Sequence, residues 1–175
     1  MTKAVFLDRD GTIIPDRGYL NNVDGVHLPA ANAKALRRLR DAGFLLVVVT
    51  NQSGVERGYF SADMVRRQHQ RLVALAAPYG VEFSGLAFCP HAPETACDCR
   101  KPSPKMILSE ADRLDIDLTR SYMIGDKLSD IQAGKRAGCA GILIADTPEP
   151  EADHTVPTLA DAVSIILTHS SVAPT

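Results

Sequence analysis

The sequence predicts an α/β fold in which a doubly wound parallel sheet is covered by helices on both faces. Short, unbroken apolar runs alternate with stretches of helical periodicity, and solid apolarity is typical of strands that are buried on both faces. Polar residues follow these runs, as expected where parallel strands end at a common ligand-binding edge. A chain of 175 residues, 45% of them hydrophobic, is long enough for one such domain with a sizeable core.

Five strands are predicted from local composition. Four are runs of apolar residues without polar interruption, and the third along the chain is weaker because its composition is mixed. In chain order the predicted strands cover residues 4–7, 44–49, 81–88, 122–124 and 141–145. The proline-rich stretch 147–157 is predicted to be a loop.

Five helices are predicted from apolar residues that recur three and four positions apart. The first brings Ala35, Leu36 and Leu39 to one face and ends before Gly43, a suitable residue after a helix end. Ser61 is a suitable N-cap for the second. The predicted helices cover residues 30–42, 62–77, 104–114, 129–137 and 158–168. Strands that alternate with helices imply right-handed crossovers.

Composition disfavours several classes of protein. With 19 basic and 21 acidic side chains, the formal net charge of −2 gives no field for nucleic-acid binding. No apolar run approaches the roughly 18 residues of a membrane span, and the first residues lead directly into a strand without a signal-peptide pattern. We therefore expect a cytoplasmic monomer without nucleic-acid or membrane partners, with one domain over 1–168 and a flexible tail over 169–175.

Charged and hydroxyl side chains follow the predicted strands. Asp8 and Asp10 follow the first, Thr50 the second, Lys101 lies beyond the third, and Asp126 follows the fourth. Each of these residues alone is compatible with a turn or a helix cap. Together they are expected at one edge of the sheet, where their chemistry suits phosphoryl transfer through an aspartyl-phosphate.

This chemistry requires a cation. A carboxylate that attacks a phosphate ester meets a repulsion of several kcal/mol at 4 Å for an effective dielectric constant of about 20. We expect Mg²⁺ to bridge the two, held by Asp8, Asp10 and Asp126. Lys101 and Thr50 would bind the transferring oxygens. Asp10 can reach the leaving-group oxygen as a general acid and then activate water as a general base.

The ordered motifs resemble the haloacid dehalogenase superfamily of phosphatases. They are the DRDGT string at 8–12, Thr50, Lys101 and the GDxxxD pattern at 125–130. The resemblance implies that Asp8 is the nucleophile and Asp10 the general acid and base. It also implies that the side chains of Asp8 and Asp126 and the backbone carbonyl of Asp10 hold Mg²⁺, with Asp130 as a supporting carboxylate.

Three cysteines and a histidine form a second cluster, with the pattern C-x-H-x5-C-x-C at Cys89, His91, Cys97 and Cys99. Residues two apart in an extended segment point the same way, so each pair can chelate one ion. One nitrogen and three sulfur ligands describe a closed, structural Zn²⁺ site; the alternative is free cysteines in an irregular loop. Because Arg100 follows Cys99 directly, zinc in the loop 89–99 would fix the segment that presents Arg100 and Lys101.

The intervals between the motifs leave no room for a cap domain, which many members of the superfamily carry. Between residues 12 and 50 and between residues 54 and 89 there is space for only a helix, a strand and loops in each interval. We therefore expect the pocket to be covered by residues 13–28, residues 53–60 and the zinc loop, which favours a small-molecule phosphate ester as substrate.

The zinc-loop string resembles one branch of the superfamily, the heptose-bisphosphate phosphatases and the histidinol-phosphate phosphatases. The strings TNQSG at 50–54 and YMIGDK at 122–127 look more like the heptose enzymes. The resemblance implies removal of the 7-phosphate of the heptose bisphosphate in nucleotide-activated heptose biosynthesis for surface polysaccharide. The alternative is a histidinol-phosphate phosphatase of histidine biosynthesis. The implied substrate contacts are Asp16, Arg17, Gly18, Tyr19, Asn51, Gln52, Ser53, Arg100 and Lys127.

Two hypotheses come from other classes of protein. A receiver-like signalling domain also combines a phosphorylated Asp, a hydroxyl and a Lys. Its phosphoacceptor, however, lies apart from its acidic pair, and it needs no zinc loop. The second hypothesis is a zinc-bearing interaction module with an inactive site. None of the expected catalytic positions is missing, however.

Overall fold

Six parallel strands and five helices make up the computed structural model, which describes residues 1–171. The strands are β1 (Ala4–Leu7), β2 (Leu45–Asn51), β3 (Gly85–Cys89), β4 (Tyr122–Gly125), β5 (Ala140–Ile144) and β6 (His154–Val156). The helices are α1 (Ala30–Asp41), α2 (Ala62–Ala76), α3 (Lys105–Leu114), α4 (Leu128–Ala137) and α5 (Leu159–Ser171).

The sheet has the order β3-β2-β1-β4-β5-β6, and every pair is parallel. β1 lies inside the sheet, where Phe6 is opposite Val47 on one side and Met123 on the other. The strand order reverses beside β1. In open α/β sheets, ligands bind at the carboxyl ends of the strands at such a reversal. The doubly wound sheet confirms the predicted fold class.

Two hydrophobic cores cover the faces of the sheet. Val5 and Leu7 of β1 belong to the core formed with α1, α2 and α5, whereas Phe6 belongs to the core formed with α3 and α4. Alternate residues of a strand point to opposite faces, so a strand buried on both sides must be apolar throughout. All four residues of β1 are fully buried, which explains its unbroken apolar sequence.

The structure differs from the predicted elements at three places. The third strand begins at Gly85 rather than at residue 81, and residues 154–156 form an edge strand inside the stretch predicted to be a loop. The last helix continues to Ser171, so it includes the first three residues of the predicted tail. The remaining residues of that tail, 172–175, lie outside the described residues.

The connections between the strands contain no inserted domain within residues 1–171. Only α1 lies between β1 and β2, and only α2 with one turn of 3₁₀ helix lies between β2 and β3. The edge formed by the carboxyl ends of the strands is therefore covered by loops, as predicted for a core without a cap. No helix among the described residues is both long and apolar enough to cross a membrane.

Candidate active site

Asp8, Lys101 and Asp130 form a buried charge cluster at the carboxyl end of β1. The Lys101 Nζ atom lies 2.9 Å from Asp8 Oδ1 and 2.6 Å from Asp130 Oδ1, and it donates to the Val49 carbonyl oxygen at 2.6 Å. Burial of the ammonium opposes its charge, but the two carboxylates outweigh the burial and raise the pKa of Lys101 above its ordinary value. A permanent positive charge thus lies beside the predicted nucleophile.

Asp126 completes the acidic group. Burial, together with the carboxylates of Asp8 and Asp130, raises the pKa of Asp126 to about 7. Its Oδ1 atom is buried without a hydrogen-bond partner. Gly11 lies against it with φ +85°, and a Cβ atom there would be 2.3 Å from Asp126 Oδ2. The glycine of the first motif is therefore required both by its backbone conformation and by this close approach.

Asn51 and Gln52 connect the end of β2 to the predicted catalytic groups by hydrogen bonds. The Asn51 side chain accepts from Lys101 N at 3.0 Å and donates to the Lys101 carbonyl oxygen at 3.1 Å, which fixes the backbone of the lysine. Gln52 Nε2 donates to Thr50 Oγ1 at 3.0 Å and to Asp10 Oδ2 at 2.8 Å. Thr50 is buried, so its hydroxyl is held within the site.

Asp10 also pairs with Arg9, which was not predicted to belong to the site. Arg9 Nε lies 3.0 Å from Asp10 Oδ2, and Nη2 donates to Asp10 Oδ1 at 3.2 Å. Arg9 is 1% exposed, and its Nη1 donates to Gln68 Oε1 of α2 at 2.9 Å. Gln68 in turn donates to the Leu20 carbonyl oxygen at 2.8 Å.

Two adjoining cavities lie at this edge of the sheet. The inner one, of about 40 Å³, is lined by Asp8, Thr50, Lys101 and Asp130. The outer one has a volume of about 290 Å³. The two share four lining residues, which are Asp10, Asn51, Lys127 and Ser129.

The outer cavity brings together most of the predicted substrate contacts. These are Asp16, Gly18, Tyr19, Asn51, Gln52, Ser53, Arg100 and Lys127. Arg17, whose side chain is exposed, is the predicted contact that does not line it. Gly54, Arg57, Pro93 and Ser129 also line it.

The predicted zinc ligands converge in the loop after β3. Their four ligand atoms lie within 4.8 Å of one another. The Cys97 Sγ atom is 3.8 Å from Cys89 Sγ and 4.0 Å from Cys99 Sγ, and His91 Nδ1 is 3.3 Å from Cys99 Sγ. Zn–S bonds of about 2.3 Å in a tetrahedron place the sulfur atoms about 3.8 Å apart. The donor set and most of its spacings therefore fit zinc; the Cys89–Cys99 separation of 2.9 Å is shorter.

The fourth cysteine lies outside this cluster. Cys139 precedes β5 and is buried in the core formed with α3 and α4, where burial raises the pKa of its thiol to about 12. It is a small core residue, as predicted.

The zinc loop is attached to the 53–60 loop that covers the outer cavity. Glu56 accepts from the Ala92 backbone N–H and from Thr95 Oγ1, and these two hydrogen bonds lower its pKa. The neighbouring Arg57 pairs with Glu94 at 3.1 Å. On the other side of the loop, Arg100 Nη1 donates to the His91 carbonyl oxygen at 3.0 Å, so a predicted substrate contact is anchored on a zinc ligand.

The fold and the edge cluster define a haloacid dehalogenase-like hydrolase, and a HAD-hydrolase-like family model matches residues 98–163. The chain is 38% identical to the D-glycero-β-D-manno-heptose-1,7-bisphosphate 7-phosphatase of Pasteurella multocida, over 95% of this chain and 97% of that protein. It is 42% identical to the enzyme of the same name from Haemophilus ducreyi, over 94% of this chain and 98% of that protein. The chain belongs to this phosphatase family.

A solved structure agrees with this assignment. The D,D-heptose 1,7-bisphosphate phosphatase of B. bronchiseptica, complexed with magnesium and phosphate, superposes with a TM-score of 0.86 at 32% identity. The match covers 95% of this chain and 99% of that chain.

Proposed function

We propose that this phosphatase removes the 7-phosphate of D-glycero-β-D-manno-heptose 1,7-bisphosphate in the formation of nucleotide-activated heptose. The observation that carries the proposal is the inner cavity, in which Asp8 and Lys101 lie 2.9 Å apart below a larger cavity lined by cations. The relatives, which are similar over almost their whole length, support the choice of substrate and anomer.

The acidic group fits Mg²⁺. Both oxygens of Asp130 have donors, since Lys101 holds Oδ1 and the Lys127 N–H donates to Oδ2 at 3.0 Å. Asp126 Oδ1, by contrast, is buried without a partner. We assign the ion to the Asp8 and Asp126 carboxylates and the Asp10 carbonyl, with Asp130 supporting Lys101. When bound, Mg²⁺ neutralises the repulsion between the attacking carboxylate and the phosphate.

The side chains of the inner cavity divide the reaction between them. An Asp8 carboxylate oxygen attacks phosphorus and forms an aspartyl-phosphate, while Lys101 and the Thr50 hydroxyl stabilise the charge on the transferring oxygens. Asp10 protonates the departing sugar oxygen. Asp10, now a base, then takes a proton from the water that hydrolyses the aspartyl-phosphate and regenerates Asp8.

The outer cavity accommodates the rest of the substrate. Its volume of about 290 Å³ suits a single sugar with its second phosphate rather than a macromolecule. Arg100, Lys127 and Arg57 line it, and their positive charges suit the distal phosphate. Asp16, Tyr19 and Ser53 line the same cavity and would bind the sugar hydroxyl groups.

Zinc has a structural role in this proposal. Three thiolates and Zn²⁺ carry a formal charge of −1, so the site is a poor Lewis acid for a phosphate ester. It is closed, with no ligand position left for substrate. Zinc would act on the active site by fixing the position of Arg100, which donates to the His91 carbonyl oxygen.

The cellular setting is also part of the proposal. The four cysteines are free, and three of them belong to the zinc cluster, which suits the reducing cytoplasm. We propose a monomer that acts on a small molecule without nucleic-acid or membrane partners, consistent with the near-neutral charge of the chain.

A phosphate-release assay tests this function. Both anomers of heptose 1,7-bisphosphate, histidinol phosphate and common sugar phosphates are compared with and without Mg²⁺. We expect the highest kcat/KM for the β anomer, dependence on Mg²⁺, and no turnover by Asp8→Asn, whose folded state is checked by circular dichroism. A preference for histidinol phosphate would reject the proposed substrate, and a fully active Asp8→Asn would reject the mechanism.

A further inference from the structure

Arg9 is a buried cation whose guanidinium group is directed at the predicted general acid. Its Nε and Nη2 atoms approach the two carboxylate oxygens of Asp10 at 3.0 Å and 3.2 Å. Two parallel hydrogen bonds of this kind fix the plane of a carboxylate as well as its position. Arg9 lines neither cavity, so it acts on the substrate through its neighbours, of which Asp10 lines both cavities.

Arg9 is held in place from α2. Its Nη1 atom donates to Gln68 Oε1 at 2.9 Å, and Gln68 is fully buried. The amide nitrogen of Gln68 is itself engaged by the Leu20 carbonyl oxygen at 2.8 Å, so the amide cannot rotate freely. Arg9 therefore has one fixed orientation, which it imposes on the carboxylate of Asp10.

We propose that Arg9, supported by Gln68, is a positioning residue that aligns Asp10 for proton transfer to the leaving oxygen. This inference rests on the proposed function, in which Asp10 is the general acid. Arg9 supplies two of the three hydrogen bonds that the Asp10 carboxylate accepts, and Gln52 supplies the third at 2.8 Å. A displacement of a reacting group by about 1 Å costs on the order of 100-fold in rate.

The chemistry of the transfer step separates positioning from a structural role. A bond forms between an Asp8 oxygen and phosphorus, the phosphorus–oxygen bond of the ester breaks, and the Asp10 proton moves to the departing oxygen. A sugar alkoxide requires this proton, whereas p-nitrophenolate is stable without it. A misplaced Asp10 therefore lowers kcat/KM, which covers the steps up to phosphoryl transfer, for the sugar ester and spares it for the aryl ester. The later hydrolysis of the aspartyl-phosphate, in which Asp10 acts as a base, is common to both esters.

The test compares kcat/KM for heptose 1,7-bisphosphate with kcat/KM for p-nitrophenyl phosphate. The ratio of the two values does not depend on how much of a variant is folded. Arg9→Lys keeps the charge but removes the paired donors, and we expect it to lower the ratio at least about tenfold, mainly through the sugar ester. Gln68→Leu should lower the ratio less, and Gln70→Leu, an exposed position on the same helix, should leave it unchanged.

Asp10→Asn serves as the benchmark. If it lowers the ratio but Arg9→Lys does not, or if Arg9→Lys reduces both kcat/KM values equally, the positioning role is wrong while the proposed function stands. If Asp10→Asn leaves the ratio unchanged, Asp10 is not the general acid, and the proposed mechanism and this inference are both rejected. Should Arg9→Lys fail to fold, an unchanged ratio in Gln68→Leu overturns the inference.

Discussion

Replacing Lys101 by Met tests the buried charge cluster. Its side chain is 2% exposed and those of its partners Asp8 and Asp130 are 7% and 2% exposed, so the loss leaves two carboxylates buried without their cation. Breaking such a pair costs about 3–5 kcal/mol, a large part of the 5–15 kcal/mol that stabilises a typical domain. Asp130→Asn leaves Lys101 paired with Asp8 at 2.9 Å and should cost about 1–3 kcal/mol.

The double variant that combines Lys101→Met with Asp130→Asn tests whether both losses of stability arise from the same charge cluster. Because Asp130→Asn removes one of the carboxylates that Lys101→Met leaves unpaired, the double variant should be no less stable than Lys101→Met alone. The two changes are then coupled by about 1–3 kcal/mol. Activity behaves differently, since both variants without Lys101 should lose about 100-fold or more in kcat. Additive stability losses, or activity restored in the double variant, would refute this reasoning.

Denaturant unfolding in magnesium-free buffer measures these free energies. Since the chain has no Trp, the transition is followed by far-ultraviolet circular dichroism. Lys105→Met is the matched control, because Lys105 pairs with Asp98 at the surface with side-chain exposures of 54% and 73%. An exposed ion pair contributes little to stability, so this variant should unfold almost like the wild-type chain.

Three other measurements test separate parts of the molecule. Burial and the nearby Arg9 lower the pKa of His69 from 6.5 to about 3. Between pH 6.5 and about pH 3 the His69 imidazole is protonated in the unfolded chain but neutral in the folded chain. Lowering the pH from 7 to 5 should therefore reduce the free energy of unfolding of the wild type by about 2 kcal/mol more than that of His69→Gln. Equal reductions in the two proteins would contradict this. Chelation of zinc should lower both the thermal midpoint and turnover, and unchanged values would exclude the proposed role of the zinc loop. Glu56→Ala, which releases the 53–60 loop from Ala92, should raise KM with little change in kcat; a lower kcat at constant KM would argue against a covering role.

Most of the fold could be predicted because the sheet is buried on both faces. Unbroken apolar runs such as those at β1 and β2 are hard to explain as anything other than buried strands. The predicted helices end within a few residues of their observed ends. Strand β6 was missed because it has only three residues, is half-buried and lies among prolines. The third strand was placed too early, because Val81 is apolar and buried although it precedes the strand.

Residues of the candidate site could be predicted where a side chain with suitable chemistry directly follows a predicted strand. Asp8, Thr50 and Asp126 each follow an apolar run, which is the signal that identified them. Arg9 was missed because a charged residue between two aspartates usually points to solvent. Its burial depends on Gln68, a partner 59 positions away along the chain, and no local pattern contains that pairing.

The two cavities differ in how much sequence change they can tolerate. The inner one is built from side chains at the ends of central strands, so a substitution there disturbs both the chemistry and a packed core. The outer one is lined largely by exposed and half-buried side chains of loops, and its zinc loop leaves the sheet at the edge strand β3. Exposed and half-buried residues in these loops can be exchanged without rebuilding the inner cavity. Libraries directed at Asp16, Arg17, Tyr19, Ser53, Arg57 and residues 93–95 are therefore a practical starting point for engineering related enzymes with other sugar phosphates as substrates.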